Sequence, residues 1–137
     1  MQLVSTHIAM TKDMGVHGNL FGGKMLAALD EAVASFATMY CRTPNMVTLK
    51  IDEMVFKEAV KVNNQVRIYC DVVDVGTTSI RIKAEARKVS YYTEQERVVC
   101  STIFTFVRID EDGHPVPIAE HVRKKFATDQ PIPESKI

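Results

Sequence analysis

The chain lacks an excess of charge of either sign. Its 137 residues carry 17 basic and 17 acidic side chains, a formal net charge of zero with His neutral. Proteins that hold nucleic acid by bulk charge show a clear basic excess, so no nucleic-acid partner is expected. A small local basic patch for a phosphorylated ligand stays open, and zero net charge does nothing to oppose self-association. Cysteine is scarce too: Cys41, Cys70 and Cys100 are odd in number, widely spaced and form no Cys-x-x-Cys pair. Reduced structural thiols and a cytoplasmic setting are the expectation. The first ten residues have no basic segment leading into a long apolar run, so no signal peptide is expected. The longest apolar stretch, residues 20–40, contains Gly22, Gly23, Lys24, Asp30 and Glu31. Charges in mid-membrane are costly, which predicts a buried soluble helix and no membrane insertion. The dinucleotide, P-loop and nucleophile-elbow glycine motifs are all missing, as is a His-x-x-x-His pair. Neither a metal nor a separate cofactor is expected.

What is present fits one domain. Residues 3–10 predict a strand with Val4, Ile8 and Met10 on one face. A glycine-bearing loop follows, then a helix over residues 22–40 whose Ala, Leu and Met content favours that conformation. The helix has almost no polar face, so it needs cover nearly all round. Beyond Pro44 the period changes to two. Val47, Leu49 and Ile51 alternate with Thr48, Lys50 and Asp52, and the phase slips near Asp52 and Glu53 as a bulge would make it. Val66, Ile68, Cys70 and Val72 form the next set, and Ile80, Ile82, Ala84 and Ala86 the one after. Residues 98–107 are apolar on both faces, as in a central strand. A short helix over residues 119–126 closes the pattern. The fold class is α+β: a curved antiparallel sheet around one long helix, with the uncovered faces left for another subunit. Residues 1–128 read as a single domain, and residues 129–137, with Pro131 and Pro133, as a loose tail.

Two features break the pattern. Asp30 lies mid-helix on a stripe with Gly23, Leu26, Ala27 and Ala34, where small side chains leave room for something to lie. A buried carboxylate needs partners, so Asp30 is either functional or a carboxylate satisfied at a subunit interface. Glu31 is on another stripe, facing solvent or Lys24. The second feature is His17-Gly18-Asn19-Leu20-Phe21-Gly22-Gly23. Glycines at a helix start let a ligand approach backbone N–H groups at the positive end of the helix dipole, where a phosphate or an oxyanion can sit. The alternative is a tight loop with Asn19 as helix cap.

Residues 17–32, His-Gly-Asn-Leu-Phe-Gly-Gly-Lys-Met-Leu-Ala-Ala-Leu-Asp-Glu-Ala, resemble the active-site loop and helix of the hotdog-fold acyl-CoA thioesterases. Three later stretches are similar in the same order: Val47-Thr48-Leu49 with Met54-Val55-Phe56-Lys57, Val75-Gly76-Thr77-Thr78-Ser79, and Phe104-Thr105-Phe106-Val107 with its exit turn at residues 110–113. Together they span most of residues 5–118. The resemblance implies a thioester hydrolase of lipid metabolism in which Asp30 is the catalytic carboxylate, as general base or nucleophile, and the Gly23 N–H polarises the carbonyl. It puts His17 and Asn19 in the active-site loop, completed across a dimer. It implies acyl-CoA contacts at Phe21, Gly22, Thr48, Phe56, Lys57, Thr78, Ser79 and Arg81, with Lys83 and Arg87 as further cations for the phosphates. Coenzyme A is then part of the substrate, and the assembly a dimer, tetramer or hexamer. One position departs: Asp13-Met14-Gly15 stands where the family often has Asp-x-Asn. The competing readings are a hydroxyacyl-thioester dehydratase, pairing the carboxylate with His17, and a non-catalytic acyl-CoA-binding module.

Overall fold

A computed structural model of the chain describes residues 1–129. The expected tail falls, from residue 130 onward, outside the described residues. The elements run β1 (Gln2–Ile8), α1 (Gly22–Cys41), β2 (Met46–Ile51), β3 (Val55–Phe56), β4 (Gln65–Val75), β5 (Ser79–Val89), β6 (Glu96–Arg108) and α2 (Glu120–Asp129). The strands form one antiparallel sheet in the order β1-β4-β5-β6-β2, with β3 also paired to β6.

The period-two runs fold as their pattern demands. Ile68, Cys70, Ile80, Ile82, Ala84, Ala86, Phe104 and Phe106 are all buried, on the face that carries α1. The helix presses Met25, Leu29, Ala32, Val33, Ala37 and Cys41 into that layer. Each large apolar side chain so buried contributes roughly 1.5–3 kcal/mol. The helix ends where Arg42 turns left-handed (φ 60°, ψ 36°) and returns its N–H to the Thr38 carbonyl. Pro44 then bars further helix. No helix among the described residues is long and apolar enough to cross a membrane.

Several expectations need correction. The 47–56 segment is two short strands: from Ile51 to Val55 it takes four steps against three on β6, from Phe104 to Ser101. The predicted slip near Asp52 is therefore real, but a further shift between Thr48 and Lys50 bulges Leu49 as well. Val47, Leu49 and Ile51 do not point into the core; they are 40%, 65% and 37% exposed. The reason is that β2 is an edge strand, and one helix is too narrow to cover it. In β1 a register shift between Leu3 and Ser5 breaks the assumed phase, so Ile8 and Met10 are about half exposed (49% and 52%). The helix is covered on one side only: Gly23, Ala27, Glu31, Ser35 and Met39 remain exposed. Asn19 does not cap α1; that position falls to Phe21, which makes no side-chain cap bond.

Candidate active site

The loop before α1 is closed on itself. Met14 and Leu20 form an isolated bridge. Inside it the Gly15 N–H donates to the Asn19 carbonyl at 2.8 Å and the Gly18 N–H to the Gly15 carbonyl at 3.1 Å. Gly18 takes φ +74°, a conformation that L side chains rarely adopt. His17 stands exposed at the tip. The chain is pinned to the body where the Phe21 N–H meets the Asp13 carbonyl (2.9 Å) and the Leu20 N–H meets the Val60 carbonyl (2.7 Å).

This anchoring delivers Gly22 and Gly23 as the first turn of α1, where backbone N–H groups have no helical partner. An aromatic ring flanks each glycine. A Cβ on Gly22 would lie 3.6 Å from the Phe56 ring, and one on Gly23 only 2.9 Å from the Phe21 ring. Phe21 and Phe56 are 58% and 45% exposed, so both rings sit at a surface that a ligand can reach. Beside them is a cavity of about 330 Å³ with an apolar floor of Leu20, Met25 and Val60 and a rim of Asn19, Lys57 and Glu58. The Asn19 Oδ1 and Glu58 Oε2 atoms are buried without a hydrogen-bond partner. Leaving such acceptors unpaired costs on the order of 1–3 kcal/mol each, a strain that a bound donor would relieve. Lys57 is exposed at this rim, its backbone N–H holding the Val99 carbonyl at 2.7 Å.

Two turns further along the helix, Asp30 is half-buried. The Thr48 hydroxyl donates to its Oδ1 at 2.7 Å, which ties α1 to β2. No cation pairs with Asp30 among the described residues, so the hydroxyl alone orients it and its second oxygen stays available. Sequence reasoning placed Thr48 among ligand contacts and missed this bond. The two residues are 18 apart, and only the pairing of β2 onto β6 brings them together.

The expected phosphate contacts do not gather in one place. Arg81 is committed to Asp74, both Nε and a terminal nitrogen lying 3.0 Å from the same carboxylate oxygen. Arg87 is tied to Glu85 at 2.6 Å and lies over the Tyr69 ring. Arg81 pairs with Thr105 on β6, six residues from the Val99 that holds Lys57, or roughly 20 Å along the strand. Thr78 and Ser79 lie at the Arg81 end, where the Thr78 carbonyl takes the Arg108 N–H at 2.9 Å. One chain thus carries two separated groups. Gly22, Gly23, Phe21, Phe56, Lys57 and Asn19 form one, and Asp30 with Thr48 marks the other. Glu31 is exposed and forms no ion pair with Lys24 among the described residues. Among the described residues one cluster of metal-ligand type occurs, Asp110, Asp112 and His114, and all three are exposed. Its Asp110 Oδ1 is occupied by the Asp112 and His114 N–H groups of the turn, both at 2.9 Å.

The comparisons with known proteins agree with this architecture. The family model "Thioesterase superfamily" matches residues 17–92. A Zymomonas mobilis protein described as an uncharacterized acyl-CoA thioester hydrolase is 32% identical over 124 residues, 90% of this chain and 82% of its own length. The acyl-CoA thioester hydrolase YciA of Salmonella typhimurium is 32% identical over 120 residues, 85% of this chain and 90% of that protein. Among solved structures, a hexameric hotdog fold thioesterase of Campylobacter jejuni superimposes with a TM-score of 0.81 at 31% identity, covering 93% of this chain and 97% of that one. An antiparallel sheet wrapped on one long helix is the shared frame. The chain is a hotdog-fold member of the thioesterase superfamily.

Proposed function

We propose that the protein hydrolyses acyl-CoA thioesters to free acid and coenzyme A, with Asp30 as its catalytic carboxylate. The observation that carries this reading is the Thr48–Asp30 bond: a half-buried carboxylate on α1, oriented by one hydroxyl and paired with no cation among the described residues. Asp30 either takes a proton from the water that attacks the thioester carbon or attacks that carbon itself, giving an anhydride that water then opens. In both routes the carbonyl oxygen gains charge against the Gly23 N–H, the C–S bond breaks, and the thiolate leaves to take up a proton. One well-placed oxyanion donor is worth about 3 kcal/mol of barrier.

A single chain does not assemble these parts. Gly23 and Asp30 are seven residues apart, roughly 10 Å along the helix axis. Donor and attacking atom must each lie about 3 Å from one carbonyl group. Two copies docked antiparallel along the open β2 edge bring Asp30 of one toward the Gly23 end of the other. The exposed Val47, Leu49 and Ile51 on that edge support this, as does the absence of net charge. The Campylobacter relative is a hexamer, so the proposal extends to dimers built into hexamers. His17 at its loop tip and Asn19 beside it act at the same junction. Lys57 takes the CoA phosphates at the cavity rim; Arg81, held by Asp74, contributes only if that pair opens. Phe21, Gly22, Phe56, Thr78 and Ser79 line the approach. Residues 1–128 act as the single thioesterase domain, with the remainder outside it. The substrate brings its own coenzyme A, and no further cofactor is needed. The three buried free thiols suit a reducing cytoplasm and a place in lipid metabolism.

The test is a hydrolysis screen across acyl-CoA lengths with release of free thiol as readout. Asp30→Asn should lower turnover by about 10²–10⁴-fold while CoA affinity is kept. Unchanged hydrolysis in that variant would falsify the mechanism. Dehydration of a hydroxyacyl-CoA without thiol release marks a dehydratase, and CoA binding with neither reaction marks a binding module.

A further inference from the structure

Two cavities in this chain share a wall. The first is the 330 Å³ cavity beside Gly22. The second, of about 140 Å³, lies between the first turns of α1 and the β1 and β4 strands, with Ala28, Val66 and Ile68 in its lining. Leu20 and Met25 line both. Met25 is 1% exposed and Leu20 half-buried, so two apolar residues, one of them fully buried, stand at the boundary between the cavities.

Resting on the hydrolase reading above, we propose that the acyl chain of the substrate occupies the larger cavity and that Met25, with Leu20, sets its depth by closing off the smaller slot. The thioester end has a place to sit, because the Phe56 ring that lines this cavity packs against the Gly22 position of the open helix start. The floor beyond is apolar, as a hydrocarbon tail requires. The polar lining residues suit the remainder of an acyl-CoA: the unpaired Asn19 and Glu58 oxygens can accept from its amide N–H groups, and the exposed Lys57 can meet a phosphate. Methionine suits a partition: its unbranched thioether side chain fills irregular gaps and changes rotamer readily. The slot behind it is apolar inside and carries His7, Asp13 and Lys24 among its remaining lining residues, so the depth gained by removing the wall is bounded.

The experiment measures kcat/KM for saturated acyl-CoAs of increasing length on the purified full chain. Met25→Ala should raise the ratio of long-chain to short-chain kcat/KM at least tenfold, the low end of what one methylene is worth in a fitted apolar pocket. Adding Ala28→Phe, which refills the slot, should return the ratio to the wild-type value. Leu20→Ala opens the same wall from its less buried side and serves if Met25→Ala fails to fold. A ratio within twofold of wild type in a folded wall variant overturns the proposal, and so does a gain that survives Ala28→Phe. Wild-type protein that releases thiol from no acyl-CoA takes the hydrolase reading down with it. Wild-type hydrolysis with an unmoved length profile removes the partition alone.

Discussion

Thr48→Val isolates the bond on which the proposed mechanism depends. The substitution keeps volume and β-branching, so strand β2 retains its conformational preference; it removes only the hydroxyl that donates to Asp30 at 2.7 Å. A hydrogen bond to a charged group contributes roughly 1.5–3 kcal/mol. With Thr48 exposed and Asp30 half-buried in the single chain, the lower end applies. If that energy is used to hold the carboxylate in line with the thioester, about 1.4 kcal/mol corresponds to a tenfold fall in kcat. KM should stay within about twofold, because the acyl and CoA contacts proposed above lie elsewhere. Thr48→Ser keeps the hydroxyl and should keep most of the activity. In an Asp30→Asn background the Thr48→Val change should add almost nothing, since both act on one interaction. The assay is steady-state thiol release, with thermal unfolding to confirm the fold. A kcat for Thr48→Val within twofold of wild type would refute the orientation argument. A Thr48→Ser variant as impaired as Thr48→Val would show that packing at the β2 edge, and not the hydroxyl, is what matters.

Two further predictions follow from exposure and burial. Leu49→Lys puts a charge on the bulged, 65% exposed residue of the β2 edge; charged edges resist pairing, so sedimentation should show smaller species and turnover should fall with them. Dissociation with full turnover per chain would contradict a site shared between copies. Burial pushes the Cys41, Cys70 and Cys100 thiols from 9.0 up to about 11, 12 and 11. The folded chain therefore holds these protons where the unfolded chain has lost them, and stability is intact below about pH 9 and falls as pH rises above it. The slope is at most about 1.4 kcal/mol per pH unit per thiol. Urea midpoints at pH 8, 9 and 10 check this against a chain with all three Cys→Ala changes, which should lose stability less steeply; equal slopes would remove the thiols as the cause.

How much the sequence revealed depended on what each residue's environment requires. Ile80, Ile82, Ala84 and Ala86 were legible because a strand between two others has one buried face, and their phase states it. Leu49 and Ile51 carry the same alternation but lie on an edge that nothing among the described residues covers, so their pattern pointed to a core that these residues do not complete. Asp30 stood out because a carboxylate on an apolar helix has to be explained. Its partner Thr48 did not, because nothing local links residues 30 and 48 until β2 pairs with β6. Arg81 is a different case: a signal existed and was passed over. The turn at residues 76–78 sets Asp74 directly across from Arg81 in the β4–β5 register, so hairpin geometry alone foretold that this cation would be occupied. Lys57 forms no ion pair among the described residues, and stays exposed at the cavity.

The strand register shows how far apart the Asp30 and Gly22 groups lie within one chain. Thr48 lies opposite Phe106 on β6, and Phe56 opposite Cys100, so the strand pairs that serve Asp30 and Gly22 stand at different ends of one strand. An intramolecular site would need a bend in β6 or a break in α1, and either would open the layer of Phe104, Leu29 and Ile82, each fully buried. Bringing a second copy to the β2 edge needs neither. In the proposed antiparallel docking the neighbouring chain runs in reverse, which would bring its Gly22 end beside this chain's Asp30 end while both cores stay intact. The exposed apolar edge, the half-open helix face around Asp30 and Ala27, and the uncharged balance of the whole chain all fit the proposed arrangement, in which each core would stay rigid and the chemistry would take place between the two.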